Sequence, residues 1–536
     1  MSSAPRSSSR DGFFHRRRAA SLIGADVSRR EMLVAACYGA FGLYLGSQKL
    51  HDNNQRLVVD GPSKQSSSRT KPPVLPEPSV DVKRFNGIVF DATIDGGRVI
   101  DPETGFDAVA NVGILDGRVA AISSAELASP SKISATGRIV APGFIDILSY
   151  EPNPFGTGLK LLDGVTTNLA MHGVSNYAPE YFETYSGKTA VNFGGAFHQH
   201  FMRGFDLKSR PDLPLSASAL DRLEGLARDA LQGGLAGISF SPEYSPGTTT
   251  DELYRLASVA AEYGHTCFFH TRHSGVDSLQ PALDGISEAI DVARRFGVPV
   301  HIEHITSTGG TTQMRQAIEL IEVARSQDLK VSACFYPYDF WGTFLASARF
   351  SAGWQQRFGL AYEDLQVAGT DQRLTEATFG QARSDNKLVA ALGSIPEDDV
   401  NQAFGVPWTI VASDAIASSG LNHHPRGAGT FSRTLGRYVR DLGVVDIHAA
   451  LRKLTILPAS AVSPMIPAMK NKGWLREGAD ADIVVFDPAT VADRATVANP
   501  AEASVGFDLV LVGGTRVVDH GHLVPGAVPG MSLRSR

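Results

Sequence analysis

The sequence predicts an α/β fold, a (β/α)₈ TIM-type barrel joined to a small β-sandwich. Eight β-rich runs alternate with helical stretches in the middle of the chain, which is the number of strands such a barrel needs. Short alternating strands precede and follow this region, and the economical arrangement packs both ends as one sandwich. The eight runs are Ile139–Ser149, Thr166–Met171, Ala190–Phe197, Ala236–Ser241, Thr266–His270, Val298–His304, Lys330–Tyr336 and Trp408–Asp414.

Length and composition indicate a globular protein of more than one domain. The chain has 536 residues, too many for one small core, with 43% hydrophobic and 20% charged residues. The formal net charge of −6, without a long basic run in the body of the chain, argues against a nucleic-acid partner. Cys267 and Cys334 lie in apolar strand-like runs and are expected to be buried, and no disulfide framework is visible.

The N-terminal segment, residues 1–48, resembles a twin-arginine export signal. Arg29 and Arg30 precede an apolar run that reaches about Leu45, which is shorter than the roughly 20 residues that span a bilayer. We therefore expect export to the periplasm or another extracytoplasmic location, with membrane contact only through this segment. The alternative is a chance arginine pair before a short buried helix. Residues 49–86 are rich in proline and serine and are predicted to be a linker.

The remaining chain divides into three predicted parts. Residues 87–140 form the first part of the sandwich, where Asp116-Gly117 is a hairpin turn signal. Residues 141–469 form the barrel, and residues 470–536 complete the sandwich. The region from about 350 to 404 breaks the alternation of strand and helix, which predicts an insertion near the mouth of the active site.

Polar residues at the ends of barrel strands are the strongest indication of chemistry, because active sites of such barrels lie at the C-terminal ends of the strands. Three runs end in His270, His304 and Asp414. Neutral imidazoles bind zinc, zinc lowers the pKa of bound water to about 7, and a carboxylate can then handle the proton. Each residue alone could be a buried, hydrogen-bonded side chain, but their coincidence at three strand ends favours a metal hydrolase.

Longer motifs connect the chain with a known family. They are Ala141-Pro142-Gly143-Phe144-Ile145-Asp146, the run His424-Pro425-Arg426 with Gly429-Thr430-Phe431-Ser432-Arg433, and the closing Gly478-Ala479-Asp480-Ala481-Asp482-Ile483-Val484-Val485-Phe486-Asp487-Pro488. With them, residues 87–534 resemble the amidohydrolase superfamily in the branch of the N-acyl-D-amino-acid deacylases. The resemblance implies metal-dependent hydrolysis of a linear amide. It also implies that His270 and His304 (an I-S-H context in the family) are metal ligands and that Asp414 shuttles the proton.

Two family features are missing from this sequence. Leu148 and Tyr150 stand where the branch has the strand-one H-x-H pair, and no cysteine follows Gly164-Val165-Thr166-Thr167 at the end of strand two. His172 is the predicted replacement for the cysteine ligand, with His198 or His200 near the end of strand three as alternatives. In the branch the H-x-H pair belongs to a weaker second metal position. We therefore expect one zinc ion, held by His270, His304 and His172, with Leu148 and Tyr150 filling the volume of a second.

The same resemblance assigns contacts to a small N-acyl amino-acid-like substrate. Arg426 matches the arginine that binds the substrate carboxylate, and a planar guanidinium suits that group. Tyr336, in Tyr336-Pro337-Tyr338, and Tyr244 match family tyrosines near the site. Gly342 replaces a companion serine.

Two other functions remain open from the sequence. One is hydrolysis of a cyclic amide, as in dihydroorotases and hydantoinases, but these enzymes usually need two metals and the H-x-H pair. The other is an inactive exported relative that binds an amino-acid-like ligand. Leu148, Tyr150 and the absent cysteine support this interpretation.

Overall fold

The computed structural model describes residues 85, 87–276, 281–419 and 423–536. The predicted export segment 1–48 and nearly all of the predicted linker lie outside the described residues. Within these ranges, no helix has both the length and the hydrophobicity that crossing a bilayer requires.

Twenty strands in the described residues fall into three sheets. In chain order they are β1 Ala92–Asp101, β2 Phe106–Leu115, β3 Arg118–Ser123, β4 Lys132–Ser134, β5 Ile139–Pro142, β6 Phe144–Asp146, β7 Val165–Val174, β8 Asn192–His198, β9 Ile238–Phe240, β10 Cys267–Phe269, β11 Val300–Ile302, β12 Val331–Phe335, β13 Trp341–Phe344, β14 Leu365–Val367, β15 Leu388–Ala391, β16 Thr409–Val411, β17 Ile483–Phe486, β18 Phe507–Val512, β19 Thr515–Asp519 and β20 His522–Leu523.

Helices connect the barrel strands and follow the last one. They are α1 Pro154–Leu162, α2 Ala178–Tyr185, α3 Gln199–Phe205, α4 Ala217–Gln232, α5 Thr250–Tyr263, α6 Pro281–Phe296, α7 Met314–Ser326, α8 Trp354–Phe358, α9 Glu376–Ser384, α10 Glu397–Gly405, α11 Arg426–Arg433, α12 Ile447–Leu454 and α13 Ile456–Val462, with a π-helical turn at Thr434–Asp441 after α11.

The predicted barrel is confirmed. Its eight strands follow the order β6-β7-β8-β9-β10-β11-β12-β16, and each neighbouring pair is parallel. Each of the eight predicted β-rich runs contributes one strand. Side chains alternate between two layers, as the pleat requires: Phe268 packs inside the barrel, whereas Cys267 and Phe269 pack against the helices.

Side chains help to close the barrel between β6 and β16, the two ends of the strand order. The Asp414 amide donates to the Leu148 carbonyl oxygen at 2.8 Å. The Ser413 amide donates to Asp146 Oδ1 at 3.0 Å, and Lys160 Nζ donates both to Asp146 Oδ2 and to Ser413 Oγ at 2.5 Å. Lys160 and Asp146 are almost completely buried, so this pair joins β6, β16 and α1 inside the protein.

The second sheet is formed from both ends of the described region, as predicted. Its order is β20-β19-β18-β17-β5-β1-β2-β3, with β4 paired to β1. Strand β5 ends at Pro142 in this sheet, and β6 begins two residues later in the barrel. Gly143 makes the passage: its amide donates to the Asp482 carbonyl oxygen at 2.8 Å, and a Cβ there would lie 2.2 Å from Thr166 Oγ1.

A third sheet of three strands, in the order β13-β15-β14, lies between β12 and β16 in the chain. It begins at Trp341, nine residues before the predicted start of the insertion at about residue 350. It carries Trp341, Thr343 and Leu388 into the wall of the cavity at the mouth of the barrel. This segment therefore shapes the site described below.

Replacing Lys160 with alanine is expected to destabilise the protein strongly. Removing one partner of a buried ion pair leaves Asp146 charged and unpaired, which costs about 3–5 kcal/mol. Urea unfolding followed by circular dichroism measures this loss. Lys132→Ala is the control, since Lys132 and its partner Glu126 are exposed and should leave the unfolding midpoint unchanged. A Lys160→Ala protein as stable as the parent would contradict the role given to the pair.

Candidate active site

One cavity of about 240 Å³ lies at the C-terminal ends of the barrel strands. All seven site residues predicted from the sequence line it, namely His172, Tyr244, His270, His304, Tyr336, Asp414 and Arg426. His172 belongs to β7, and Arg426 is the first residue of α11. The other five lie in the segments that follow β9, β10, β11, β12 and β16. The parallel sheet therefore brings together side chains that are up to 254 residues apart in the chain.

Three histidines meet at the centre of this cavity. His270 Nδ1 lies 3.0 Å from His304 Nε2, and the His172 ring centroid lies 6.0 Å and 6.1 Å from the rings of His270 and His304. His304 Nε2 lies 3.9 Å from Asp414 Oδ2. Ligand atoms of His172, His304 and Asp414 all lie within 4.8 Å of one another.

Unusual backbone angles point these residues into the cavity. His304 has a φ of 31° and Asp414 a φ of 52°, the left-handed region that few residues other than glycine adopt. Gly173, directly after His172, has a φ of 111°, and a Cβ there would lie 2.4 Å from the His198 Cβ. Strain of this kind persists where the surrounding fold holds it, and it concentrates at functional sites.

Glu303 is a site residue that the sequence reasoning missed. Its Oε2 lies 2.5 Å from His172 Nδ1, and its side chain is completely buried. Ser239 Oγ lies 2.8 Å from the His172 carbonyl oxygen and 3.4 Å from Glu303 Oε1. A carboxylate at the end of strand six, directly before His304, was the signal available in the sequence.

Glu243 is a second missed carboxylate. Its Oε2 lies 2.6 Å from His270 Nε2, and Ser274 Oγ donates to its other oxygen. Arg349, carried by the segment after β13, lies 3.4 Å from Glu243 Oε2. Burial alone would raise the pKa of Glu243, but Arg349 and His270 outweigh it and lower that pKa to about 2. Glu243 is therefore ionised at neutral pH and has a cationic partner.

The pKa values of two of these histidines shift in opposite directions. Burial, with smaller effects from His270, His172 and Arg426, lowers the pKa of His304 far below its usual value, so His304 is neutral at pH 7. Burial also opposes the charged form of His172, but Glu303 and then Asp414 outweigh it and raise the pKa of His172. A neutral imidazole is the form that binds a metal ion.

Asp414 and Arg426, predicted to act separately, form an ion pair. Arg426 Nη2 lies 2.8 Å from Asp414 Oδ2, and Arg426 Nε donates to the Asp414 carbonyl oxygen at 3.2 Å. Arg426 also lies over the Tyr336 ring, 4.5 Å from its centroid. Its buried Nη1 has no hydrogen-bond partner among the described residues. This nitrogen is therefore available to donate a hydrogen bond to a ligand.

The two predicted tyrosines lie on different sides of the histidines. Tyr336 directly follows β12, and burial raises its pKa to about 12. The Tyr244 hydroxyl lies 3.1 Å from Thr343 Oγ1, and its ring lies 4.7 Å from that of His270. The glycine at position 342, in place of the family serine, has a steric explanation: a Cβ there would lie 2.6 Å from Cδ2 of His424.

Leu148 and Tyr150, which replace the H-x-H pair, pack into the site. Leu148 belongs to the apolar cluster inside the barrel. The Tyr150 hydroxyl donates to Asp414 Oδ1 at 3.4 Å, and its ring lies 5.4 Å from that of His172. The alternative ligands, His198 and His200, are not among the residues that line the cavity. The His198 ring lies 5.7 Å from that of His172 and stacks on Phe201, and His200 Nδ1 lies 2.5 Å from Ser245 Oγ.

Comparisons with known proteins agree with this geometry. Residues 403–518 match the amidohydrolase family. The N-acyl-D-glutamate deacylase of Alcaligenes xylosoxydans xylosoxydans is 30% identical over 483 residues, which cover 83% of this chain and 96% of that protein. The chain belongs to the deacylase branch of the amidohydrolases. A D-aminoacylase from the same organism is 29% identical, covering 80% of this chain and 94% of its own length.

A solved structure of this deacylase branch has the same fold. The crystal structure of N-acyl-D-glutamate deacylase from Bordetella bronchiseptica, complexed with zinc and a phosphonate inhibitor, has a TM-score of 0.73 and 26% sequence identity. The match covers 83% of this chain and 100% of that one. The (β/α)₈ barrel with a separate sheet is therefore the architecture of the branch.

The histidines of the present chain are arranged as a metal ion would require. Ligand atoms about 2.0–2.2 Å from a tetrahedral ion lie roughly 3.3–3.6 Å apart. The observed separations of 3.0 Å between His270 and His304 and 3.9 Å between His304 and Asp414 lie on either side of that value. His172, His270 and Glu303 form a second set whose ligand atoms lie within 4.8 Å of one another. The residues present therefore fit a metal ion.

Replacing Gly173 with alanine is expected to disturb the metal site. The positive φ alone costs a non-glycine residue roughly 1–2 kcal/mol, and the contact with His198 adds about 1–3 kcal/mol of overpacking. Gly187→Ala is the matched control, with a φ of 70° and nothing within 4 Å of the added Cβ. Metal content and urea unfolding of both variants test this. Equal losses in the two variants would contradict a steric role for Gly173.

Proposed function

We propose that this chain hydrolyses the linear amide of an N-acyl amino acid, with one zinc ion held by His172, His270 and His304. The observation that carries the proposal is the convergence of three buried imidazoles and Asp414 in the cavity that also contains Arg426. Imidazole nitrogens and a position left open for water are typical of catalytic zinc sites. When bound there, zinc would lower the pKa of a water molecule and polarise the amide carbonyl.

Asp414 is the proposed proton carrier. Its Oδ2 lies 2.8 Å from Arg426 Nη2 and 3.9 Å from His304 Nε2, and its Oδ1 accepts a hydrogen bond from the Tyr150 hydroxyl. These contacts fix both carboxylate oxygens at the end of β16, beside the three imidazoles. In the proposed reaction Asp414 accepts a proton from the attacking water and returns it to the leaving nitrogen, as a positioned general base and acid does.

Arg426 is the proposed anchor for the carboxylate of the substrate. It is buried, it is fixed by Asp414 and the Tyr336 ring, and its Nη1 has no partner among the described residues. A guanidinium that already donates through one edge can receive a carboxylate through its free donor. Tyr336 and Tyr244 would then bound the substrate on either side of the histidines.

The proposal favours linear over cyclic amides. Leu148 and Tyr150 leave no ligands at the strand-one position where enzymes of the two-metal type hold a second ion. Two relatives that cover 83% and 80% of this chain are named N-acyl-D-glutamate deacylase and D-aminoacylase. This supports an N-acyl-D-amino acid as the substrate. An inactive ligand-binding protein remains the second candidate, supported by Leu148, Tyr150 and the absent cysteine.

The first test is zinc content with and without His172. The parent protein is expected to bind about one equivalent of zinc, and His172→Ala to lose most of it, because a tetrahedral site then lacks one protein ligand. Mass spectrometry of dialysed protein measures the metal. His200→Ala is the control and should retain zinc. Loss of zinc in His200→Ala but not in His172→Ala would show that the strand-two ligand is wrongly assigned.

The second test is turnover by an Asp414→Asn variant. Removing a general base typically costs about 10²- to 10⁴-fold in rate, and zinc content should not change, because the three histidines remain. Acetyl-D-amino acids and hydantoins are assayed side by side with parent and variant. Turnover of the hydantoins alone would favour the cyclic-amide alternative. Turnover of neither by the zinc-loaded parent would favour the inactive relative.

A further inference from the structure

We infer that Glu303 is a positioning residue of the metal site, which fixes the His172 ring and supplies the negative charge next to the ion. This inference rests on the proposed function, because it concerns how the same site holds its metal. Glu303 would act through His172 and would not touch the substrate. Four observations lead to it.

The first is the contact itself. Glu303 Oε2 lies 2.5 Å from His172 Nδ1, and the side chains are 0% and 3% exposed. A histidine held by a carboxylate through one ring nitrogen has its ring orientation and tautomer fixed, and its other nitrogen becomes a better ligand. A ligand atom of His172 lies within 4.8 Å of those of both His304 and Asp414.

The second is that Glu303 is held in place. Its backbone amide donates to the Phe269 carbonyl oxygen at 2.9 Å, which ties it to the end of β10. Ser239 Oγ, on β9, contacts the His172 carbonyl oxygen and Glu303 Oε1. Three neighbouring strands thus fix the carboxylate and the imidazole relative to each other.

The third is the charge of the pair. No lysine or arginine of the described residues forms an ion pair with Glu303; its only ionisable partner there is His172. A buried carboxylate without a cation is costly, so a completely buried one normally has a cationic partner or a metal ion nearby. A divalent ion bound through His172 would provide that cation.

The fourth is the contrast with Glu243. Glu243 holds His270 through the same kind of contact, but it also pairs with Arg349 and accepts from Ser274. Its charge is therefore balanced by the protein alone. Of the two carboxylate–histidine pairs, the one at Glu303 has no arginine or lysine partner among the described residues, and it is the pair that a bound ion would balance.

The test is the zinc affinity of full-length Glu303→Gln, measured by competition with a chelator. The substitution keeps the shape of the side chain and removes its charge, so affinity is expected to fall about 10- to 100-fold, as for other partners of metal-bound histidines. Glu303→Asp, which keeps the charge but shortens the reach, should fall between parent and Gln variant. Parent-like affinity in Glu303→Gln would overturn the inference.

Glu252→Gln is the matched control. Glu252 is also buried, but it pairs with Arg203 and Gln199, outside the sets of ligand atoms. This variant should lose stability without losing zinc affinity. If it loses as much affinity as Glu303→Gln, the Glu303 effect is only structural and the inference is wrong. Ser239→Ala removes a contact to Glu303 without changing its charge, and it should reduce zinc affinity several-fold. This variant replaces Glu303→Gln as the test if Glu303→Gln does not fold.

Cobalt substitution separates a positioning residue from a direct ligand. The visible spectrum of Co²⁺-loaded Glu303→Gln should keep the intensity of a four-coordinate site. A change in coordination number, with an affinity as low as that of His172→Ala, would make Glu303 a ligand and overturn its role as a positioning residue. If the parent binds no zinc, the proposed function fails together with the inference. If the parent binds zinc and Glu303→Gln binds it equally well, the inference alone fails.

Discussion

The closure of the eight-stranded barrel is the constraint on which the site depends. Strands β6 and β16 meet through the Asp414 amide, the Leu148 carbonyl and the buried group of Asp146, Lys160 and Ser413. This closure brings Asp414, at the end of the last strand, back to the histidines of the earlier strands. In an open sheet, Asp414 would lie at one edge and the histidines in the middle. The same contacts that complete the fold therefore bring together the residues of the candidate site.

The centre of the site is a set of buried charges that balance one another in pairs. Arg426 balances Asp414, and Arg349 balances Glu243. Glu303 has His172 as its only such partner in the described part of the chain. Since buried charge without compensation is costly, this arrangement explains both why the site could accept a divalent ion and where it would bind. Glu303 stands at the serine of the I-S-H context of the resembling branch, and it contacts His172, the predicted replacement for the cysteine of that branch.

Leu148 and Tyr150, at the strand-one positions of the H-x-H pair, change the packing of the site. Leu148 joins the apolar cluster inside the barrel, while the Tyr150 hydroxyl reaches Asp414. The volume that two further imidazoles would need is used for packing and for one additional hydrogen bond to the proposed base. The substitutions are thus compatible with a single ion and with a carboxylate whose position is more closely fixed.

The sequence by itself predicted the barrel, the sheet built from both ends, and seven of the residues that line the cavity, of which His172, Tyr244, Tyr336 and Arg426 were assigned through the family resemblance. Period-two strands, turn signals and polar residues at strand ends are local properties, so they can be read along the chain. Only the tertiary structure decided that Glu303 holds His172, that Glu243 holds His270, and that Arg426 pairs with Asp414. These contacts join residues between 12 and 131 positions apart. They depend on the closed barrel and on strained turns at His304 and Asp414, which no local pattern of residues specifies.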